Sequence, residues 1–530
     1  MPSVFLRALL LAASVLTPGS PVERELAGGG MQDFRITVAG QPLLVTVEQH
    51  GIDLTLTLLD PAGKPLGTVN TALEREGIES WLIEREGEYR LELRPAAPTA
   101  PKGRFLLKVE ELPTTPPERT EAERLMTEAG LLFTQKTGEA QQQARALYAE
   151  ALAHWRALGR KPEEARTLFR LAVIHQRLGE AQLMLDRLQE ALPLFSSLGD
   201  QAGEADALTH MGLALGMLGR YREAIGSYDR SLEIGRARND RWWEAVTFQN
   251  LCLTRLYLGE WREAIRCYEQ LLPLLEEVGE SDAEAFNGLG GAYSSLGEPG
   301  KAKELYTRSL EKRRVLKDRR NEARMLNNLA VLAADQDELG EALVYYGQAL
   351  EVFQGLGDRE WQARTLSNLG SAYLGLGEPR RALDLFNEAL PIRRELGDLR
   401  GEGATLRLLG EAQERLGDVP AAMQSYERAL AIAKDTEDRS GKALSLGLLA
   451  MGHVTAGDLN RALELFAESA TLHRALENRY GLAFVLQQTG ETEARLGQRE
   501  KALATLGEAL HLRRLSSDPA GQAETLAALA

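Results

Sequence analysis

The sequence predicts a mainly α chain, a right-handed α-solenoid of helical hairpins, with a small antiparallel β-sandwich in front of it. Three observations carry the prediction. Leu-Gly or a near equivalent ends a helix at Gly179, Gly219, Gly259, Gly297, Gly377, Gly417 and Gly497, with Asp337 and Gly457 in register; the steps are 40 residues, except one of 38. A second break recurs halfway with the same step, at Gly199-Asp200, Asn239-Asp240, Lys317-Asp318, Gly357-Asp358, Gly397-Asp398 and Glu437-Asp438. Ahead of them, residues 31–112 alternate apolar and polar side chains with a period of two, the signature of half-buried strands.

Length and charge bound the function. At 530 residues the chain exceeds one compact core, so it is several domains or one elongated array. Its 62 basic and 77 acidic residues give a formal charge of -15, which repels a phosphate backbone and an anionic lipid surface alike. Nucleic acid is excluded as a partner on that ground. Residues 1–20 hold Arg7, an apolar run from Ala8 to Leu16 and then turn formers, and read as a secretory signal. No other segment has the length and apolarity to span a bilayer.

Residues 21–112 form the predicted sandwich. Leu43 to Val47, Leu54 to Leu58, Tyr89 to Leu93 and Phe105 to Val109 are among about seven short strands within residues 31–112, separated by turn chemistry such as Asp60-Pro61-Ala62-Gly63. Residues 113–118 are a Pro-rich linker that suits neither sheet nor helix. Residues 119–530 are the solenoid, ten hairpins and a truncated eleventh. Within it the Gly residues suit the left-handed position that stops a helix, and the Asp residues suit the cap of the next. Each unit also carries a Leu followed by a small residue, as at Leu289-Gly290, Leu329-Ala330 and Leu369-Gly370. An Ala follows five residues past the break, at 224, 264, 302, 342, 382, 422, 462 and 502, and four places later stands a ring, at Tyr228, Tyr268, Tyr306, Tyr346, Phe386, Tyr426 and Phe466. Small against large is how layers interdigitate.

These positions resemble tetratricopeptide repeats, in the forty-residue variety of kinesin light chain-like and bacterial multi-repeat proteins. The resemblance covers about three quarters of the chain; the first hairpin departs from it, and Met184 stands where Ala is expected. It implies a binding scaffold whose first helices line the inside of a superhelix. A second resemblance spans the whole chain. The secretory start, PVERELAGG, EQHGIDLTLTLLDPAGKPL, EGEYRLELRP and the repeats together resemble the front half of bacterial CHAT-domain repeat proteins, in which a caspase-like His/Cys domain follows the repeats. No such domain lies in this sequence.

Catalytic, cofactor and metal sites are not expected. The seven His residues stand singly, without the spacing that places two ligands on one helix face. Gly288 to Gly291 lies inside a helix, and Gly300-Lys301 is followed by Ala302, so neither is a nucleotide loop. Cys252 fills the small-residue slot of its hairpin and Cys267 lies on the returning helix. A packed small residue and a disulfide both fit, while a catalytic thiol lacks a His. The candidate site is a row of side chains two places before the small residue: His210, Asn250, Gly288, Asn328 and Asn368. Amides there can donate to and accept from an extended peptide backbone. Arg324 and Arg364 share the face of Asn328 and Asn368 and favour an acidic side chain or a carboxylate.

The sequence therefore predicts an exported protein- or peptide-binding scaffold without catalysis or cofactor, touching no membrane beyond its signal. Two alternatives are the recruiting front end of a CHAT-type peptidase and a cytoplasmic peptide sensor. Residues 521–530 align with 401–410, so the array halts midway through an eleventh first helix with Leu526 and Leu529 uncovered. Further repeats and an effector domain after Ala530 are expected on that account.

Overall fold

A computed structural model describes residues 14–530 except 71–75, 98, 99, 101, 114–116, 136, 516 and 517. The chain divides into two compact units, Met1–Glu280 and Ser281–Ala530.

The first unit opens with nine strands: β1 (Ser14–Leu16), β2 (Val22–Leu26), β3 (Gln32–Val38), β4 (Leu43–His50), β5 (Leu54–Leu59), β6 (Pro65–Val69), β7 (Glu76–Ile83), β8 (Gly87–Pro95) and β9 (Gly103–Glu111). They form two sheets, in the orders β1-β3-β8-β5-β6 and β2-β9-β4-β7. Alternate residues, among them Phe34, Ile36, Val45, Val47, Leu56, Leu91, Phe105 and Leu107, meet between the sheets in one core. Two features depart from the sequence reading. The seven described strands β3 to β9 match the about seven expected over residues 31–112, but β1 and β2 precede them, and β1 runs parallel to β3 in an otherwise antiparallel arrangement. Residues 1–13 of the segment read as a signal lie outside the described residues, but Ser14–Leu16 forms β1, with Leu16 buried in the sandwich core. A three-residue strand continuous with a longer apolar run has no alternation of its own to reveal it.

Four hairpins follow: α1 (Pro117–Phe133) with α2 (Gly138–Ala157), α3 (Lys161–Arg177) with α4 (Ala181–Leu198), α5 (Gln201–Met217) with α6 (Tyr221–Ala237), and α7 (Arg241–Tyr257) with α8 (Trp261–Val278). The second unit continues the pattern with α9 (Ala283–Ser295), α10 (Pro299–Val315), α11 (Arg319–Asp335), α12 (Leu339–Leu356), α13 (Arg359–Gly375) and α14 (Pro379–Glu395). It ends with α15 (Leu399–Arg415), α16 (Val419–Asp435), α17 (Arg439–Ala456), α18 (Leu459–Ala475), α19 (Arg479–Arg495), α20 (Arg499–Leu515) and α21 (Pro519–Leu529).

Local chemistry punctuates the helices where the sequence places it. The break glycines are left-handed, and Asn239, Lys317, Asp337 and Glu437 adopt the same conformation in their register, at φ 55°, 56°, 61° and 52°. The side chains of Asp200, Asp240, Asp318, Asp358, Asp398 and Asp438 each accept from the backbone N–H three residues on, capping the next helix. The small-and-large rule is steric. A Cβ on Gly370 would lie 2.5 Å from Cε1 of Phe386, and one on Gly290 2.7 Å from the ring of Tyr306. The ring thus occupies the space the small residue vacates.

Charge stitches the hairpins in a way the repeat pattern had not disclosed. Glu164, Glu244 and Glu322, all nearly buried in the first turn of a first helix, accept from Arg156, Arg236 and Arg314 eight residues earlier, at 3.0, 2.8 and 3.1 Å. A second device pairs Arg313, Arg393 and Arg513 with the capping residues Asp318, Asp398 and Asp518. Each of these Asp side chains both caps a helix and holds the preceding helix's guanidinium.

Candidate functional site

In the second unit the first helices of successive hairpins, α11, α13, α15, α17, α19 and α21, touch one another along one face, whereas the second helices are spaced further apart. Side chains two and six places before the small residue of each hairpin project from that face. On α11 and α13 these are Arg324 and Asn328, then Arg364 and Asn368. On α15, α17 and α19 the same positions hold Ala404 and Leu408, Leu444 and Leu448, and Phe484 and Gln488. The face is polar at one end and apolar at the other.

At the polar end the amides interlock across hairpins. Asn328 Nδ2 donates to Asn287 Oδ1 at 3.0 Å and Asn368 Nδ2 to Asn327 Oδ1 at 3.4 Å. The Asn328 and Asn368 amides are thereby held in place, each with its own carbonyl oxygen left to accept. The guanidiniums of Arg324 and Arg364 lie over the Trp361 ring, 5.4 and 4.8 Å from its centroid, and Trp361 stacks on Phe353. Cation–π contact uses the faces of the guanidiniums and leaves their N–H edges available. Arg324 also donates to Asn321 Oδ1 at 2.8 Å, while Arg364 is exposed.

The apolar end is a cavity of about 420 Å³ lined by Arg407, Leu408, Leu444, Leu448, Tyr480 and Phe484, among others. Tyr480, Leu444 and Phe484 remain 69%, 43% and 39% exposed, apolar surface that a soluble chain does not ordinarily leave open in one patch. Arg407 is the cation of this end; burial lowers the affinity of its guanidinium for its proton, and among the described residues no ion pair or hydrogen bond holds it. His473 also lines the cavity, with its Nδ1 buried and without a hydrogen-bond partner. Burial lowers its pKa, so the ring is held neutral. Gly481 makes room for that ring, since a Cβ there would lie 2.5 Å from Cε1.

The remaining predicted residues, His210 and Asn250, belong to the first unit and are engaged locally. His210 packs edge-on against Phe169 at 5.0 Å, its Nδ1 paired with the Asp206 carbonyl, and burial lowers its pKa. Asn250 Nδ2 donates to the Val246 carbonyl of its own helix at 3.1 Å. Such i−4 bonds turn a side chain along its helix. The structure therefore brings Arg324, Asn328, Arg364 and Asn368 together, while His210 and Asn250 face their own surroundings. The apolar end escaped the sequence reading although Leu408, Leu444 and Leu448 stand in the same register. A Leu in a helix reads as core until its neighbours are known.

Cys252 and Cys267 are joined in a disulfide across α7 and α8, with Cα atoms 5.4 Å apart. Among the described residues no group of three His, Cys, Asp or Glu is placed to hold a metal, and no helix is long and apolar enough to cross a membrane.

Comparison with known families decides what the repeats are. A tetratricopeptide repeat model matches residues 163–237, 243–314 and 321–395, and a second tetratricopeptide repeat model matches residues 405–440. The chain is a tetratricopeptide repeat protein. No curated protein matches it. Among solved structures, this tetratricopeptide repeat chain is similar to BtubC (BKLC) from P. vanneervenii, at 26% identity over 41% of this chain and 92% of that one, with a TM-score of 0.37. It is similar also to the apo form of the quorum sensor NprR from B. thuringiensis, at 16% identity over 64% and 99%, TM-score 0.48. The apo form of RapI is similar at 13% identity over 61% and 96%, TM-score 0.43.

Proposed function

We propose that this tetratricopeptide repeat protein is an exported scaffold that binds an extended polypeptide along the first-helix face of its second unit, without catalysis of its own. The observation that carries the reading is the division of that face. Held amides and two guanidiniums on α11 and α13 suit backbone and acidic groups, and an open apolar cavity on α15 to α19 suits a bulky side chain farther along the same ligand. A disulfide across α7 and α8 supports export, because such bridges persist in oxidising compartments. Replacing both Asn328 and Asn368 with Ala should weaken peptide binding, and unchanged affinity with the fold intact would move the site elsewhere. For export, N-terminal sequencing of secreted protein should begin near residue 20, a cleavage that removes β1 and its core residue Leu16; unprocessed chain confined to the cytosol would count against it. A CHAT-type peptidase front end is the second reading, favoured by the phrases EQHGIDLTLTLLDPAGKPL and EGEYRLELRP in the sandwich.

A further inference from the structure

On α3 of the first unit the equivalent face is not open. Arg166 and Arg170 on α3 stand six and two places before Ala172, the register of Arg324 and Asn328 before Ala330 and of Arg364 and Asn368 before Gly370. The sandwich lies against them. Arg170 Nη2 donates to the backbone carbonyl of Ile78 at 2.8 Å, and Ile78 belongs to β7, the edge strand of its sheet. Gln49, Ile78, Arg166, Phe169 and Arg170 line one cavity of about 250 Å³ between the sandwich and α3 to α5. A side chain at the groove position thus holds the main-chain carbonyl of an extended segment, the contact that the proposed function assigns to a bound ligand.

We propose that the β-sandwich is a built-in occupant of the groove face in the first unit, its edge strand β7 taking the place on α3 that an extended ligand segment would take. The proposal rests on the reading of that face as a peptide site. What holds the sandwich down suits a reversible contact. Arg119 pairs bidentately with Glu110 at 2.8 Å, Arg124 reaches Glu84 at 2.7 Å, and Leu82 N–H donates to Thr127 Oγ1 at 3.0 Å. The apolar contact is made by Leu131 of α1, which reaches over Gly67 toward Trp81. The buried residues of the sandwich core lie between its own two sheets, with Leu131 of α1 packed against them. The interface also encloses the Glu123 carboxyl, which burial disfavours in its charged form. Contacts of this kind yield to charge reversal without unfolding either part.

The test compares the full chain with the same chain carrying Glu84→Arg and Glu110→Arg, two partly exposed positions of the sandwich. Radical footprinting should show Met126, which is buried beneath the sandwich, becoming reactive in the variant, while Phe34 and Leu91 in the sandwich core stay protected. A fluorescent peptide of residues 76–84 should bind the variant at least tenfold more tightly than the parent, and Arg170→Ala in the variant should abolish that gain. Three results would each overturn the proposal: Met126 equally protected in both chains, equal peptide affinity for both, or binding to the open variant that ignores Arg170→Ala. Arg170→Ala in the parent chain gives a second route, since it should by itself raise Met126 reactivity. Loss of binding in the Asn328→Ala, Asn368→Ala chain reads the second unit alone, so failure of the peptide-site reading is seen separately from failure of the occlusion.

Discussion

Asp398→Ala tests whether capping and charge act together at the helix junctions. Asp398 Oδ1 accepts from the Gly401 N–H at 2.9 Å, and the other oxygen holds Arg393, whose side chain is only 12% exposed. Loss of the cap costs about 1 kcal/mol. Stripping a nearly buried guanidinium of its charged acceptor adds roughly 2 kcal/mol, so the total is about 3 kcal/mol. Asp398→Asn separates the two, because Asn caps as well as Asp and should cost only the roughly 2 kcal/mol of the ionic part. A long repeat array does not unfold in one step, so native-state hydrogen exchange of the first turns of α15 is the appropriate assay. Equal effects of Asn and Ala would refute the additive cap, and an Asn variant as stable as the parent would refute the ionic part.

Ala382, fully buried at the close approach of α14, has no room for a larger side chain, so Ala382→Leu should cost roughly 1–3 kcal/mol, read as a lowered melting temperature. Cys252 and Cys267, fifteen residues apart, should alkylate only after reduction, and replacing both with Ala should lower the local opening free energy by about 3 kcal/mol; two thiols titrating without reductant would remove the bridge. Burial pushes the Glu123 carboxyl up to about 7 against the pull of Arg166 and Arg119. The native first unit therefore binds a proton that the unfolded chain releases near its ordinary 4.5, and this stabilisation, complete below that value, is lost as pH rises toward 7. The loss should approach 3 kcal/mol as an order of magnitude, and Glu123→Gln should flatten it.

The architecture was legible because it repeats. Break glycines, capping aspartates and the alternation of Ala with a ring recur at fixed offsets, and each is a local steric or hydrogen-bonding requirement that a sequence displays directly. Strand β1 was not legible, since three residues at the end of an apolar run carry no alternation. The Arg393–Asp398 and Arg394–Glu402 links were hidden for another reason: their partners lie on different helices, and the spacings of five and eight residues are not those of one helix face. At the site, Arg324, Asn328, Arg364 and Asn368 followed from register alone. That His210 would turn inward against Phe169 did not, because its surroundings come from the neighbouring hairpin and not from its own. Nor did the open cavity, because the same leucines would have been core had another element covered them.

The first-helix face of the second unit is proposed to bind an extended polypeptide. Selecting a displayed random peptide library on the full chain, then measuring the affinity of the enriched peptides for the parent and for the Asn328→Ala, Asn368→Ala chain, tests it directly. Two lost hydrogen bonds at about 1 kcal/mol each predict a loss of affinity of roughly thirtyfold, for peptides that carry acidic residues and a bulky apolar one. Enriched peptides that bind both chains equally would mean that this face is not the binding site.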